Sequence, residues 1–169
     1  MNTQTLLSIV ADQREELLAN DYSELCPRPE ESQLDLKSNR AQVVIGVRRC
    51  GKSTLCEMFL KQKGIDFAYV NFDDDRMEDM KASDLDHLLE ALYMTYGEFK
   101  YLFLDEIQNI EGWPLFVNRL LRQKMHLFIT GSNSKLLSKE LSTHLTGRNN
   151  KVELYPFSFS EYCTMKKID

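Results

Sequence analysis

A short apolar run, Ala41 to Ile45, leads straight into Gly46, Val47, Arg48, Arg49, Cys50, Gly51, Lys52 and Ser53, and a helical pattern of Leu55, Met58 and Phe59 follows. No other stretch narrows the fold so far, because the octapeptide fits GxxxxGKS and stands in the strand-to-helix context that the pattern requires. Its glycines let the backbone curl until successive amides point at phosphate oxygens, and the opening helix adds partial positive charge at its N-terminus. Lys52 is placed to bridge the β- and γ-phosphates of ATP. Ser53 is placed to set its hydroxyl on Mg²⁺, and Gly46, Arg49, Cys50, Gly51 and Thr54 complete the cradle. At average residue usage a chain of this length meets the pattern by chance about 0.6% of the time, and the flanking elements lower that further. Arg48 and Arg49 either face phosphate or reach outward, and spacing does not choose between them. Cys50 is read as a small side chain filling space rather than as a redox-sensitive thiol beside Lys52.

Around this loop, β-rich runs alternate with helical periods, which predicts an α/β domain with a parallel sheet. The expected strands are residues 41–46, 66–72, 100–105, 125–130 and 151–155, several of them apolar on both faces as central parallel strands are. Helices are expected after Ser83, with Leu85, Leu88, Leu89, Leu92, Tyr93 and Tyr96 as the inward stripe and Gly97 as the stop, from Trp113 and Pro114, and within the segment after Gly51. Residues 1–40 are set apart as an N-terminal helical extension in which Leu6, Ile9, Val10, Leu17 and Leu18 form an apolar stripe. Residues 41–169 are taken as the core.

The third strand, YLFLD, ends in Asp105 and is followed by Glu106, the layout of a Walker B segment with a second acid. A carboxylate at a strand end can order Mg²⁺, and the next can polarise the water that attacks a γ-phosphate. Asp105 and Ser53 therefore form the expected metal side, and Glu106 the catalytic one with Lys52. After the fourth strand, Ser132 and Asn133 are candidates to sense the γ-phosphate, set against ordinary capping of the next helix by Ser132, Asn133 or Ser134, and the two roles can coexist. Asp73, Asp74 and Asp75 read as a solvated turn in preference to a metal site. The three histidines are scattered and the four cysteines form no CxxC pair, so neither a zinc site nor a disulfide framework is expected. A net charge of −5 provides no general attraction for nucleic acid, so any such contact would need a local basic patch. No run approaches the ~20 apolar residues of a membrane span, and the N-terminus does not read as a signal peptide, which gives a cytoplasmic expectation.

The segments VVIGVRRCGKSTL, NFDDDR, YLFLDEIQNIEGWPLFVNRLL, LFITGSNSKLLSKELSTHLTGR and ELYPFSFSEY, in this order, resemble the AAA+ type P-loop ATPases of bacteria and archaea over roughly residues 25–165. The resemblance implies a three-layer P-loop NTPase sandwich whose five-stranded sheet has the order 5-1-4-3-2. It implies ATP and Mg²⁺ as ligands, and makes Arg148 in TGR the candidate for a charge-stabilising arginine supplied by a neighbouring subunit. By looser analogy, Arg28 and Glu30 in PRPEE resemble the box near the adenine. Gln108 also matches the family. The few residues after Tyr155 do not suffice for the usual helical lid, so the chain is expected to be an N-terminal ATPase portion whose partners are a C-terminal domain or another protein, and further copies of itself.

Two functions of different class follow. The first is an ATP hydrolase module that couples nucleotide state to a partner domain or protein. The second is a nucleotide-gated switch with little turnover. A P-loop kinase fits less well, because the sequence shows no acceptor site beside the Asp-Glu pair.

Overall fold

Ala41–Gly46 forms β1, and β2 (Ala68–Asn71), β3 (Tyr101–Asp105), β4 (His126–Gly131) and β5 (Asn149–Leu154) join it in one sheet. The order across the sheet is β2-β3-β4-β1-β5, and every ladder is parallel. This is the expected 5-1-4-3-2 arrangement of a P-loop NTPase. The computed structural model describes residues 1–167, so positions 168 and 169 of the expected core span lie outside the described residues.

Side chains alternate across each strand, which divides the apolar runs between two layers. Val43 and Ile45 face the layer of α3 (Leu85–Tyr96), α4 (Trp113–Arg122) and α5 (Ser134–His144), where Leu102, Leu104, Leu127 and Ile129 join them. Val44, Phe103, Phe128 and Val152 face the other way, onto Leu55, Phe59 and Leu60 of α2 (Lys52–Gln62). The Phe59 and Phe128 rings meet there at 5.9 Å. A short α6 (Phe159–Lys166) follows β5.

Most expected elements lie within a few residues of their predicted bounds, and two side chains depart from the expected stripes. Leu18 is 64% exposed, because the helix turns it about 100° away from buried Leu17. Tyr93 is exposed as well and stacks on Phe99 at 4.6 Å instead of entering the core. Gly97 stops α3 as expected, at φ 72°, where a side chain would be strained.

Residues 1–40 pack on the same core as the sheet. Leu6, Ile9 and Val10 of α1 (Thr3–Ala19) belong to the buried cluster of α3 and β2. The helix also covers the edge of the sheet. The Gln13 side-chain amide donates to the carbonyl of Asn71 at 3.0 Å and accepts from its N–H at 2.9 Å, as a neighbouring strand would. An edge strand with unpaired backbone invites pairing with other chains, and Gln13 satisfies part of that edge.

Candidate active site

The ends of β1, β4 and β3 lie side by side, with Ile45 opposite Gly131 and Leu104 opposite Ile129. The loop after β1 and the acids after β3 therefore flank the end of β4. Gly46 begins the loop where no side chain fits: a Cβ would lie 2.3 Å from the Leu154 carbonyl oxygen and 2.8 Å from Cys50 Sγ. Gly51, at φ 96°, caps α2 without a side-chain bond. The amides of Lys52, Ser53 and Thr54 at the first turn thus have no capping side chain in front of them. Lys52 is buried and donates from Nζ to the Val47 carbonyl at 2.9 Å, reaching back across the loop.

The other loop residues divide by direction. Arg48 points outward and pairs with Asp73 at 2.9 Å. Arg49 is also exposed, at a left-handed φ of 61°. Cys50 is buried, with Sγ donating to the Leu154 carbonyl at 3.6 Å. It fills the space between the loop and β5.

Asp105 is buried at the end of β3. Its Oδ1 accepts from Ser53 Oγ at 2.8 Å and from the Thr130 hydroxyl, and its Oδ2 accepts from Tyr69 Oη at 3.1 Å. Burial pushes its carboxyl above the ordinary aspartate range, against the opposing effect of the Thr130 and Ser53 hydrogen bonds. The Tyr69 phenol and the Cys56 thiol are pushed up in turn, first by their own burial and then by the charge of Asp105. A carboxylate and a hydroxyl in contact beside a phosphate-type loop form a hard oxygen donor pair.

Glu106 follows at φ 56°, a left-handed conformation that costs a non-glycine residue about 1 kcal/mol or more. Its N–H donates to Thr130 Oγ1 at 2.9 Å. Oε2 accepts from Ser132 Oγ at 2.8 Å, from the Ser132 N–H at 3.2 Å and from Gln108 Nε2. Oε1 lies 3.7 Å from Lys52 Nζ. The structure thus gathers Lys52, Ser53, Asp105, Glu106 and Ser132 in one place. Asn133 accepts from the Leu136 N–H at 3.2 Å as the cap of α5.

Residues 38–163, which contain this loop, the two acids and the strands that carry them, match the AAA domain family. The chain belongs to that family. This AAA domain is 41% identical over 138 residues to an uncharacterized protein of Methanocaldococcus jannaschii, a match covering 81% of this chain and 31% of the relative. It is 39% identical over 136 residues to an uncharacterized protein of Haemophilus influenzae, covering 76% and 34% respectively. A second Methanocaldococcus jannaschii protein, also uncharacterized, is 26% identical over 141 residues, 78% of this chain and 30% of the relative. The chain spans about a third of the length of the curated relatives it matches. Family membership makes it a nucleotide-binding, ATPase-type module.

Two further features of the AAA domain come from the fold. Arg148 precedes β5 and donates to Asn118 Oδ1 at 3.1 Å, while its carbonyl accepts from the Ala41 N–H at 2.8 Å. It therefore sits at the amino ends of the strands, across the sheet from the loop. Arg28, matched only by analogy to an adenine-side box, is buried behind the loop. Its Nη1 donates to the Cys50 carbonyl at 3.1 Å, Nη2 donates to the Tyr155 carbonyl, and Nε lies 2.7 Å from Glu161 Oε1. A loop that turns its amides inward turns carbonyls outward, and Arg28 satisfies one of them. Glu30 stands 3.7 Å from Arg28 Nε on the same side. Nothing in the spacing of the sequence announces this clamp, since its partners Cys50 and Tyr155 lie 22 and 127 residues along the chain from Arg28.

Among the described residues no helix is long and apolar enough to cross a membrane.

Proposed function

We propose that this AAA domain binds ATP with Mg²⁺ and hydrolyses it, coupling nucleotide state to a partner domain or protein. The reading rests above all on one observation, the convergence of Lys52, the Ser53–Asp105 pair at 2.8 Å and Glu106 at the end of the sheet that carries the loop. Among the described residues no cluster of three or more His, Cys, Asp or Glu side chains could hold a metal unaided. The buried Asp105 carboxylate and the Ser53 hydroxyl nevertheless fit Mg²⁺ as hard oxygen donors and would hold it beside the loop. When bound, such an ion supplies charge neutralisation between the β- and γ-phosphates.

Lys52 leaves the Val47 carbonyl for the β- and γ-phosphate oxygens, and the first-turn amides of α2 hold the remaining charge. Glu106 orients a water and draws its proton as the water oxygen bonds to the γ-phosphorus. The bond from that phosphorus to the β,γ-bridging oxygen breaks, ADP leaves with that electron pair, and the proton ends on the released phosphate. Arg148 serves a neighbouring copy, since within one chain it lies at the opposite end of the strands.

The test is ATP hydrolysis measured across protein concentration for the native chain and Glu106→Gln. Turnover that is lost in the variant while ATP still binds supports the reading. Tight ATP retention by both, with no product from either, would leave the nucleotide-gated switch as the function.

A further inference from the structure

Gln108 lies in the single helical turn Ile107–Asn109 just past Glu106. Its Nε2 donates to Glu106 Oε2 and also approaches Ser132 Oγ at 3.3 Å, while Ser132 gives that same carboxylate oxygen its hydroxyl at 2.8 Å and its N–H at 3.2 Å. One oxygen of Glu106 therefore accepts three donors, and the other, Oε1, lies 3.7 Å from Lys52 Nζ. The amide of Gln108 cannot be turned over at no cost. Its Oε1 is buried without a hydrogen-bond partner among the described residues and lies 2.9 Å from the place a Cβ on Gly131 would take. Leaving a buried carbonyl unpaired is unfavourable by about 1–3 kcal/mol, so the donor bonds on the other side must dictate this orientation.

We propose that Gln108 is a positioning residue that divides the labour of the Glu106 carboxylate: Oε2 is anchored, and Oε1 is the oxygen left to receive the proton of the attacking water. The inference rests on the hydrolase reading. Lys52 blocks Oε1 in the present arrangement and uncovers it by moving to phosphate, while Gln108 and Ser132 stay on Oε2. Substrate entry and base release are thus one event, because the same ammonium serves both. Without Gln108 the carboxylate retains the Ser132 bonds but can rotate about its last torsion, which spreads Oε1 over orientations that do not meet the water.

The experiment compares steady-state ATP hydrolysis and ATP binding for the native chain, Gln108→Met, Gln108→Glu, Glu106→Gln, and the Gln108→Met/Glu106→Gln double variant. Methionine keeps the volume and glutamate keeps the shape, and neither donates as the amide does. We expect kcat to fall roughly tenfold to a hundredfold in both Gln108 variants, part of the 10²–10⁴ that a positioned base contributes. For Gln108→Met, KM and the thermal midpoint should change little, whereas Gln108→Glu sets a second carboxylate against Glu106 and should raise KM as well. In the Glu106→Gln background Gln108→Met should add no further loss, because its effect passes through that carboxylate. Unchanged kcat in both Gln108 variants, a change confined to KM, or a further loss in the double variant overturns the positioning role and leaves the hydrolase reading intact. A Glu106→Gln variant as active as the native chain, or a native chain that never turns over ATP, overturns both.

Discussion

The ammonium of Lys52 lies 3.7 Å from Oε1 of Glu106, so two groups that are to meet the same phosphate meet each other in its absence. Their pairing predicts opposite outcomes for the two substitutions. Lys52→Ala removes the main cation of the loop, and ATP binding should weaken by at least tenfold in calorimetric titration. Glu106→Gln removes a competing negative charge, so ATP should bind as tightly as to the native chain or more tightly, while turnover drops roughly 10²- to 10⁴-fold.

Arg28→Ala should damage the phosphate loop from behind. It strands the Cys50 and Tyr155 carbonyls and leaves Glu161 without its 2.7 Å partner. Loss of a buried charged donor should cost about 2–4 kcal/mol in chemical denaturation and weaken ATP binding as well. Arg28→Lys should recover little, because a single ammonium cannot reach both carbonyls in the geometry of a guanidinium.

At the sheet edge, Gln13→Leu preserves volume and removes the paired amide contacts to Asn71. The two backbone groups lose partners at a partly buried site, which should lower stability by about 1–3 kcal/mol. Light scattering at high concentration should rise as well, because the edge of β2 becomes open to pairing.

Glu57 yields a pH prediction. Burial in α2 pushes its carboxyl up to about 7 from an ordinary 4.5, only partly opposed by the Asn20 amide at 3.2 Å. The folded chain therefore keeps a proton that the unfolded chain has released, so this group's contribution is full below about pH 4.5 and is lost as pH rises toward 7. Glu57→Gln removes that dependence. The variant should match the native chain near pH 5 and exceed it near pH 8 by roughly 2–3 kcal/mol in urea unfolding.

Much of the fold is legible in the chain itself. The two-sided apolar runs of β1, β3 and β4 mark central parallel strands, and Gly46 and Gly51 mark the turn between β1 and α2. The pairing of a loop lysine with acids at a strand end also follows from the sequence, through the chemistry that such residues share. The N-terminal helix is harder to place. Its stripe of Leu6, Ile9 and Val10 says that it must be covered, yet nothing in it says that α3 and β2 are what cover it.

What the sequence alone determined is local: which segments are strand or helix, where the chain must curl, and which side chains have the chemistry for phosphate and metal. These follow from steric preference and from periodicities of two and 3.6, which act within a few residues. Only the tertiary structure decided the partners. Ser132 on Glu106, Arg28 on Cys50 and Gln13 on Asn71 are separated along the chain by 26, 22 and 58 residues, and each meets its partner only where packing and strand order bring distant turns together. A polar bond of that kind depends on distances fixed to a few tenths of an ångström by the whole packed core, information that no short stretch of residues carries.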